Sequence, residues 1–504
     1  MINTLVELSL RYKLLTLVAF AVIAFLGWRA VNTVPIDAFP DLTPIQVNVY
    51  TESPGLAAED VEELLTFPVE SGMAGLSGVQ QIRSVSLFGL SYVSVYFDDD
   101  VDIYFARRLV MERLQEVGER IPEGYGTPEM GPNTSALGQV FWYTIERTDQ
   151  ALEAATSDMD LRTVQDWSVR LVLRTVPGVD DVMSWGGQER QYQVQIDPRQ
   201  LIAYDLDYRT VLEAIEANNG QVGGQYINLG PEQYLVRGLG LVKNTDDIGD
   251  IVLKAVDGVP VRIRDIAQIE EAPALRFGAV TRDGEEVVLG MALARIGENA
   301  KVVVDAVKEK IATASTILPQ TMQLRPVYDR TDLVDKAVDT AVTALLQGAI
   351  LVAIVLFLFL GELRSAAVVI AALPMAMLIA FIFMEQVGLS ANLMSLAGLA
   401  IGIGMVVDGA VVITENSFRI MAQRQAEGGE VNRVDAVLAA AREVANPIAF
   451  AILIIIVVFL PLFSLEGLEG KLFKPMAFNI SFAMAGSLLL TLTLIPVLAA
   501  LLLK

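Results

Sequence analysis

Six stretches of the chain are apolar almost without interruption: Leu14 to Val31, Ala341 to Leu360, Ala366 to Met384, Leu393 to Phe418, Ala445 to Phe463 and Phe478 to Leu503. Each is long enough to cross a bilayer as a helix, because roughly 20 residues at 1.5 Å rise span the hydrocarbon core. Between the first and second stretches the pattern changes. From Pro44, Ile45, Val47 and Val49 alternate as a strand. An amphipathic helix over Leu56 to Met73 follows, then strands at Gln81 to Ser86 and Tyr92 to Phe97, a helix from Val101 to Arg120, and a final extended piece. That order, βαββαβ, is the split βαβ of ferredoxin-like domains. A looser second copy has a strand at Val140 to Ile145, a helix around Leu161 to Thr175 and a strand near Val182. It resumes with a strand at Val287 to Leu293, a helix at Ala300 to Thr313 and a strand at Met322 to Val327. The interruption, Gln188 to about Glu271, carries Gly-rich turns and reads as an inserted subdomain.

Composition supports membrane insertion: 53% of the 504 residues are hydrophobic, only 19% are charged, and the mean hydropathy is +0.48. The first stretch could pass for a signal peptide, but Trp28 and Arg29 stand where small cleavage-site residues belong, so it reads as an uncleaved span. Basic residues in short loops mark the cytoplasmic side. Arg11 and Lys13 precede the first span, Arg364 lies between the second and third, and Arg419, Arg424, Arg433 and Arg442 lie between the fourth and fifth. Both ends are therefore expected in the cytoplasm, and Asn32 to Asp339 outside, which in a two-membrane bacterium is the periplasm. Lys471 and Lys474 run against this bias.

The net charge of −23 can reside mostly in that outer segment, where it either attracts cations or keeps the segment soluble. The chain has no cysteine and no histidine. Disulfides, Cys or His zinc sites and catalytic triads that need either residue are excluded. With no Walker A or Rossmann glycine pattern either, nothing points to a nucleotide or a nucleic acid.

The polar exceptions inside the spans stand out. The stretch GMVVDGAVVITEN at 404 to 416 places Asp408 and Glu415 seven residues apart, two helical turns, on one face of the fourth span. A carboxylate near the bilayer centre costs at least about 2.5 to 3.5 kcal/mol on insertion scales, and such residues usually line a relay, an ion path or a wet cavity. The competing reading is a pair of neutral carboxyls bonded to a neighbouring helix. Gly398, Gly402 and Gly404 on the same span favour close helix packing.

Four segments carry a resemblance: VPIDAFPDLTPIQVNVYTESPGLAAEDVEELLTFPVE at 34 to 70, IRSVSLFGLSYVSVYFDDDVDIYFARRLVMERL at 82 to 114, MGPNTSALG at 130 to 138, and ANLMSLAGLAIGIGMVVDGAVVITEN at 391 to 416. Together they resemble the heavy-metal efflux branch of the resistance-nodulation-division (RND) superfamily. The resemblance implies a secondary transporter rather than an enzyme: a proton-driven, normally trimeric pump of the bacterial inner membrane. Such a pump takes cations from periplasm or membrane and hands them to a periplasmic adaptor and an outer-membrane channel.

The implied fold is an α+β membrane protein, with six transmembrane helices and a large periplasmic segment of two ferredoxin-like porter subdomains plus a docking insertion. Its expected division is an N-terminal helix and first span at 1–31, the first porter subdomain at 32–135, and the second at 136–187 and 272–339. The docking insertion takes 188–271 and spans two to six take 340–504. By motif, the proton-relay residues fall on Asp408 and Glu415.

The departures are informative. The chain resembles only the N-terminal half of a family member. Gly402 stands where the zinc and cobalt pattern has an Asp, and Val406 and Ile413 where the copper and silver pattern has Met. Met394 is a weak candidate metal ligand, since it belongs to the more widely shared NLMSL motif. The cargo that the resemblance implies is a metal cation, Zn, Co and Ni or Cu and Ag, with no bound cofactor. The central parts of the six spans hold no Lys or Arg to face Asp408. A second half-chain, in a trimer-like assembly or a hexamer of halves, is therefore expected to supply the partner. The alternatives are a non-transporting half-subunit or truncated fragment that binds partner subunits, or an RND pump for a non-metal substrate.

Overall fold

The computed structural model describes residues 2–122, 124–148, 156–256, 258–276, 278–427 and 432–503. Helix α1 (Ile2–Arg11) turns at Tyr12 into α2 (Lys13–Thr33). A first sheet unit follows: β1 (Gln46–Glu52), α3 (Ala58–Val61), α4 (Phe67–Met73), β2 (Val79–Leu87), β3 (Leu90–Phe97), α5 (Ile103–Gly118) and β4 (Glu129–Met130). Its strands are ordered β2-β3-β1-β4, every neighbour antiparallel. The period of two in β1 buries Val47, Val49 and Thr51 on one face. Val61, Leu65, Val69 and Met73 from the first helical stretch, and Val110, Leu114 and Val117 from α5, close the same core.

The second unit opens with β5 (Gln139–Arg147), α6 (Asp158–Val164), α7 (Arg170–Leu173) and β6 (Val179–Trp185). The inserted segment contains β7 (Arg190–Ile196), α8 (Pro198–Ala203), α9 (Tyr208–Asn218), β8 (Val222–Leu229), β9 (Glu232–Gly238), α10 (Thr245–Gly249), β10 (Val252–Val256), β11 (Val259–Arg262), α11 (Ile263–Ile266) and β12 (Ala267–Pro273). Because β7 pairs with β12, the segment leaves and rejoins the unit at one place. Its β8–β9 hairpin exposes Tyr226, Leu229, Tyr234 and Leu235. The unit then finishes with β13 (Val280–Arg282), β14 (Glu285–Ala294), α12 (Ala300–Ile317) and β15 (Met322–Asp329). Here β6 and β5 flank β14, β15 flanks β5, and β13 adds a hairpin to β14. Apart from β13, this is the strand order of the first unit.

The repeat extends to a local irregularity. In both units the first helix is interrupted by one wide turn, over Glu62–Thr66 and over Gln165–Val169. Each places a buried polar side chain against the sheet. The Thr66 hydroxyl lies 2.9 and 2.8 Å from those of Ser86 and Ser91. Gln165 accepts from the Tyr143 hydroxyl at 3.0 Å, and burial pushes that phenol well above its ordinary pKa.

The helical part consists of α13 (Arg330–Leu360), α14 (Leu363–Ile370), α15 (Ala372–Val387), α16 (Leu393–Ala426), α17 (Arg433–Val458), α18 (Leu460–Phe463), α19 (Gly467–Leu492) and α20 (Leu494–Leu502). Six helical stretches among the described residues are long and apolar enough to cross a membrane: Lys13–Thr33, Arg330–Phe359, Leu363–Val387, Leu393–Ala426, Arg433–Phe463 and Gly467–Leu492. The sixth corrects the expected run of Phe478 to Leu503. The helix starts earlier, taking in Glu469, Lys471 and Lys474, and it breaks at Thr493.

Proline explains that break. Pro496 has no N–H for the carbonyl of Leu492, and its ring crowds it. The same four-residue offset separates Pro374 from the end of α14 at Ile370, and Pro461 lies just past the end of α17 at Val458. The early start of α19 has its own cause. Lys471 donates to the Thr43 carbonyl at 2.9 Å and pairs with Asp99 at 2.7 Å, so this end of the helix is tied to the first sheet unit.

A second joint is tighter. β15 runs directly into α13, and Asp329 caps that helix by accepting from the Thr331 N–H at 2.9 Å. Arg330, 6% exposed, reaches across to Asp37 in the segment after α2. That segment bridges in turn to the start of α16: the Asp37 N–H donates to the Ala391 carbonyl, and the Leu393 N–H donates to that of Ala38.

Candidate functional site

Helix α16 is positioned at its start by a reciprocal cap. The Asn392 side chain accepts from the Ser395 N–H at 3.0 Å, and the Asn392 N–H donates to the Ser395 hydroxyl at 2.8 Å. Asn479 on α19 then donates to the Ser395 carbonyl at 2.9 Å, and Ser487 on α19 to the Val406 carbonyl at 2.6 Å. Gly398 allows this approach: a Cβ there would stand 2.7 Å from the Met476 carbonyl oxygen. With α17 and α19 packed against it, α16 buries Leu396, Leu399, Ile403, Val406, Val407, Ala410 and Ile413 in the largest apolar core.

One stripe of α16 is left uncovered. Ala397, Ile401, Gly404, Asp408, Val412, Glu415 and Phe418 are exposed, at steps of three and four residues, which is one face of a helix. Asp408 and Glu415 thus share a face, as their spacing predicted, about 10 Å apart along the axis. Among the described residues neither takes a hydrogen bond or an ion pair. Arg419, one turn along α16 from Glu415, is paired with Glu443 on α17. The stripe presents two unpartnered carboxylates on a surface otherwise fit for helix packing, and chemically they can accept and release protons.

Met394 is not brought to them. It lies one residue into α16, fourteen residues and about 21 Å from Asp408. Among the described residues no three His, Cys, Asp or Glu side chains converge as a metal cluster would need. Sequence reasoning also passed over Thr414 and Ser365, which line a small cavity beside Glu415. Thr414 had a signal, a hydroxyl inside the fourth apolar stretch, whereas Ser365 lies one residue before the third. The Arg330–Asp37 pair had no comparable signal, because its partners are 293 residues apart.

A family model described as the AcrB/AcrD/AcrF family matches residues 5–504. Among curated relatives, the chain is 44% identical over 508 residues to the cobalt-zinc-cadmium resistance protein CzcA of Cupriavidus metallidurans, covering 99% of this chain and 48% of that protein. It is 39% identical to the cation efflux system protein CusA of Escherichia coli K12, with 99% and 48% covered. A solved structure described as a heavy metal efflux pump superposes with a TM-score of 0.87 at 35% identity, covering 99% of this chain and 48% of that one. The chain spans about half the length of the curated relatives it matches. It belongs to the AcrB/AcrD/AcrF family of RND transporters, in the branch whose members are heavy-metal efflux pumps.

Proposed function

We propose that this chain belongs to a proton-driven pump that exports heavy-metal cations, with Asp408 the essential proton carrier and Glu415 its auxiliary. The observation that carries this reading is the exposed stripe of α16, where two unpartnered carboxylates sit on a spanning helix otherwise enclosed by its neighbours. An isolated carboxylate facing lipid is costly, so a working assembly covers the stripe. The cover is a further six-span half, which supplies either an intramembrane cation or carboxylates of its own. The two sheet units, read as ferredoxin-like porter subdomains, and the segment at 188–271, read as a docking insertion, lie in the periplasm under the basic-loop rule. There they meet an adaptor and, through it, an outer-membrane channel.

The names of the relatives support a metal cargo, and the acidic chain suits cations. Zinc, cobalt and silver are the ions to test. Asp408→Asn tests the reading: it abolishes proton-coupled metal flux while leaving membrane insertion and assembly size unchanged. Full flux in that variant would remove the assignment.

A further inference from the structure

The second carboxylate of the stripe opens onto a feature that the relay alone does not explain. A cavity of about 110 Å³ lies between the end of α13, the start of α14 and the far part of α16, lined by Phe359, Ser365, Thr414, Glu415 and Phe418. The Thr414 hydroxyl is buried and, among the described residues, has no hydrogen-bond partner. A buried hydroxyl without a partner is costly, and the adjoining cavity is roomy enough to admit water beside Glu415. Across the cavity, Ser365 is 3% exposed and donates to Glu362 at 3.1 Å. Glu362 is partly exposed, in the two-residue link between α13 and α14. Polar groups therefore run from Glu415 through the cavity to a carboxylate that meets solvent.

Position agrees with a passage. Glu415 is twenty-two residues into α16, about 33 Å from its start, and so near the far boundary of a core roughly 30 Å thick. The Arg419 guanidinium that would otherwise neutralise Glu415 is held by Asn416 and Glu443 instead.

We infer that Ser365 and Glu362, with Thr414 in the wall, form a hydrated exit through which protons from Glu415 reach the cytoplasmic face, an inference that rests on the relay proposed above. The protonated Glu415 carboxyl gives its proton to water in the cavity and becomes a carboxylate. The hydrated proton passes to the Ser365 hydroxyl as Ser365 gives its own to the Glu362 carboxylate. Glu362 then releases it to bulk water, which restores Ser365 and Glu362 and leaves Glu415 ionised until the relay reprotonates it.

The test uses the full transporting assembly in membrane vesicles, with zinc, cobalt and silver each as the probe ion and proton release followed by a pH dye. Ser365→Ala and Glu362→Gln are expected to slow metal-driven proton release at least fivefold, with metal affinity and thermal stability unchanged. Glu362→Asp is expected to restore at least half the rate, which a merely structural role does not predict. Thr414→Val, nearly isosteric and away from the α13–α14 link, carries the test if Ser365→Ala fails to accumulate, and it too is expected to slow release. Wild-type rates in these variants, alongside an inactive Asp408→Asn, overturn the exit and leave the relay standing. An active Asp408→Asn overturns the relay and the exit with it.

Discussion

Arg330 donates from Nη2 to both carboxylate oxygens of Asp37, at 2.8 and 2.9 Å. The two residues join three parts of the molecule. Arg330 begins α13 where a strand of the second sheet unit becomes a spanning helix, and Asp37 lies in the segment that bridges to the start of α16. Movement of α16 and movement of the sheet therefore share one largely buried ion pair. Removing one partner strands the other charge, which costs about 3 kcal/mol at the lower end of the range for buried pairs. Arg330→Met is expected to lower the melting temperature in detergent, and Asp37→Leu in the same chain to recover part of the loss. Arg330→Lys keeps the charge but not the two-pronged geometry, and falls between wild type and Met.

The glycines of α16 make a contrast that separates packing from helix propensity. At Gly398 an added Cβ meets the Met476 backbone of α19 at 2.7 Å, whereas at Gly402 it meets only the Ala483 Cβ at 3.6 Å. Gly398→Ala is expected to destabilise the bundle by roughly 1 to 3 kcal/mol through overpacking. Gly402→Ala is expected to be neutral or slightly stabilising, because glycine within a helix costs about 0.5 to 1 kcal/mol relative to alanine. Equal thermal stability of the two variants contradicts so close an approach of α19 to α16 at Gly398.

Acid sensitivity should appear at the cap of α13. Burial works against ionising Asp329, but bonds from Lys308 and from the Thr331 hydroxyl and N–H outweigh it, and the carboxyl is held below its ordinary range. A carboxyl depressed in the folded state stabilises fully above its unfolded pKa of about 3.9, and the contribution is lost as pH falls through the folded value. The melting-temperature gap between wild type and Asp329→Asn is therefore expected to hold from pH 7 to about 5 and to shrink below about pH 4. A gap that widens on acidification contradicts the assignment.

What the sequence revealed depended on the range of the interaction. The period of two in Val47 and Val49, and the seven-residue spacing of Asp408 and Glu415, are local signals, and the strand and the shared helix face are where they pointed. The sixth apolar run misled at both ends, for different reasons. Hydropathy cannot see that Lys471 is satisfied by Asp99 far away in the chain. Nor does an apolar count register that Pro496 stops the helix at Leu492. The exposure of the stripe was invisible as well, because a carboxylate in an apolar run reads the same whether a neighbour covers it or not. The Ser365–Glu362 contact was legible only after α14 and α16 had been placed side by side.

The most direct test of the central claim is metal-dependent proton flux through the complete assembly in vesicles under an imposed proton gradient, comparing wild type with Asp408→Asn. Zinc, cobalt and silver are supplied separately, and the amount and melting temperature of the inserted protein are measured in the same preparations. The account predicts that at least one ion drives flux in wild type, and that Asp408→Asn abolishes it with insertion and stability unchanged. Undiminished flux in a normally folded Asp408→Asn assembly would contradict it.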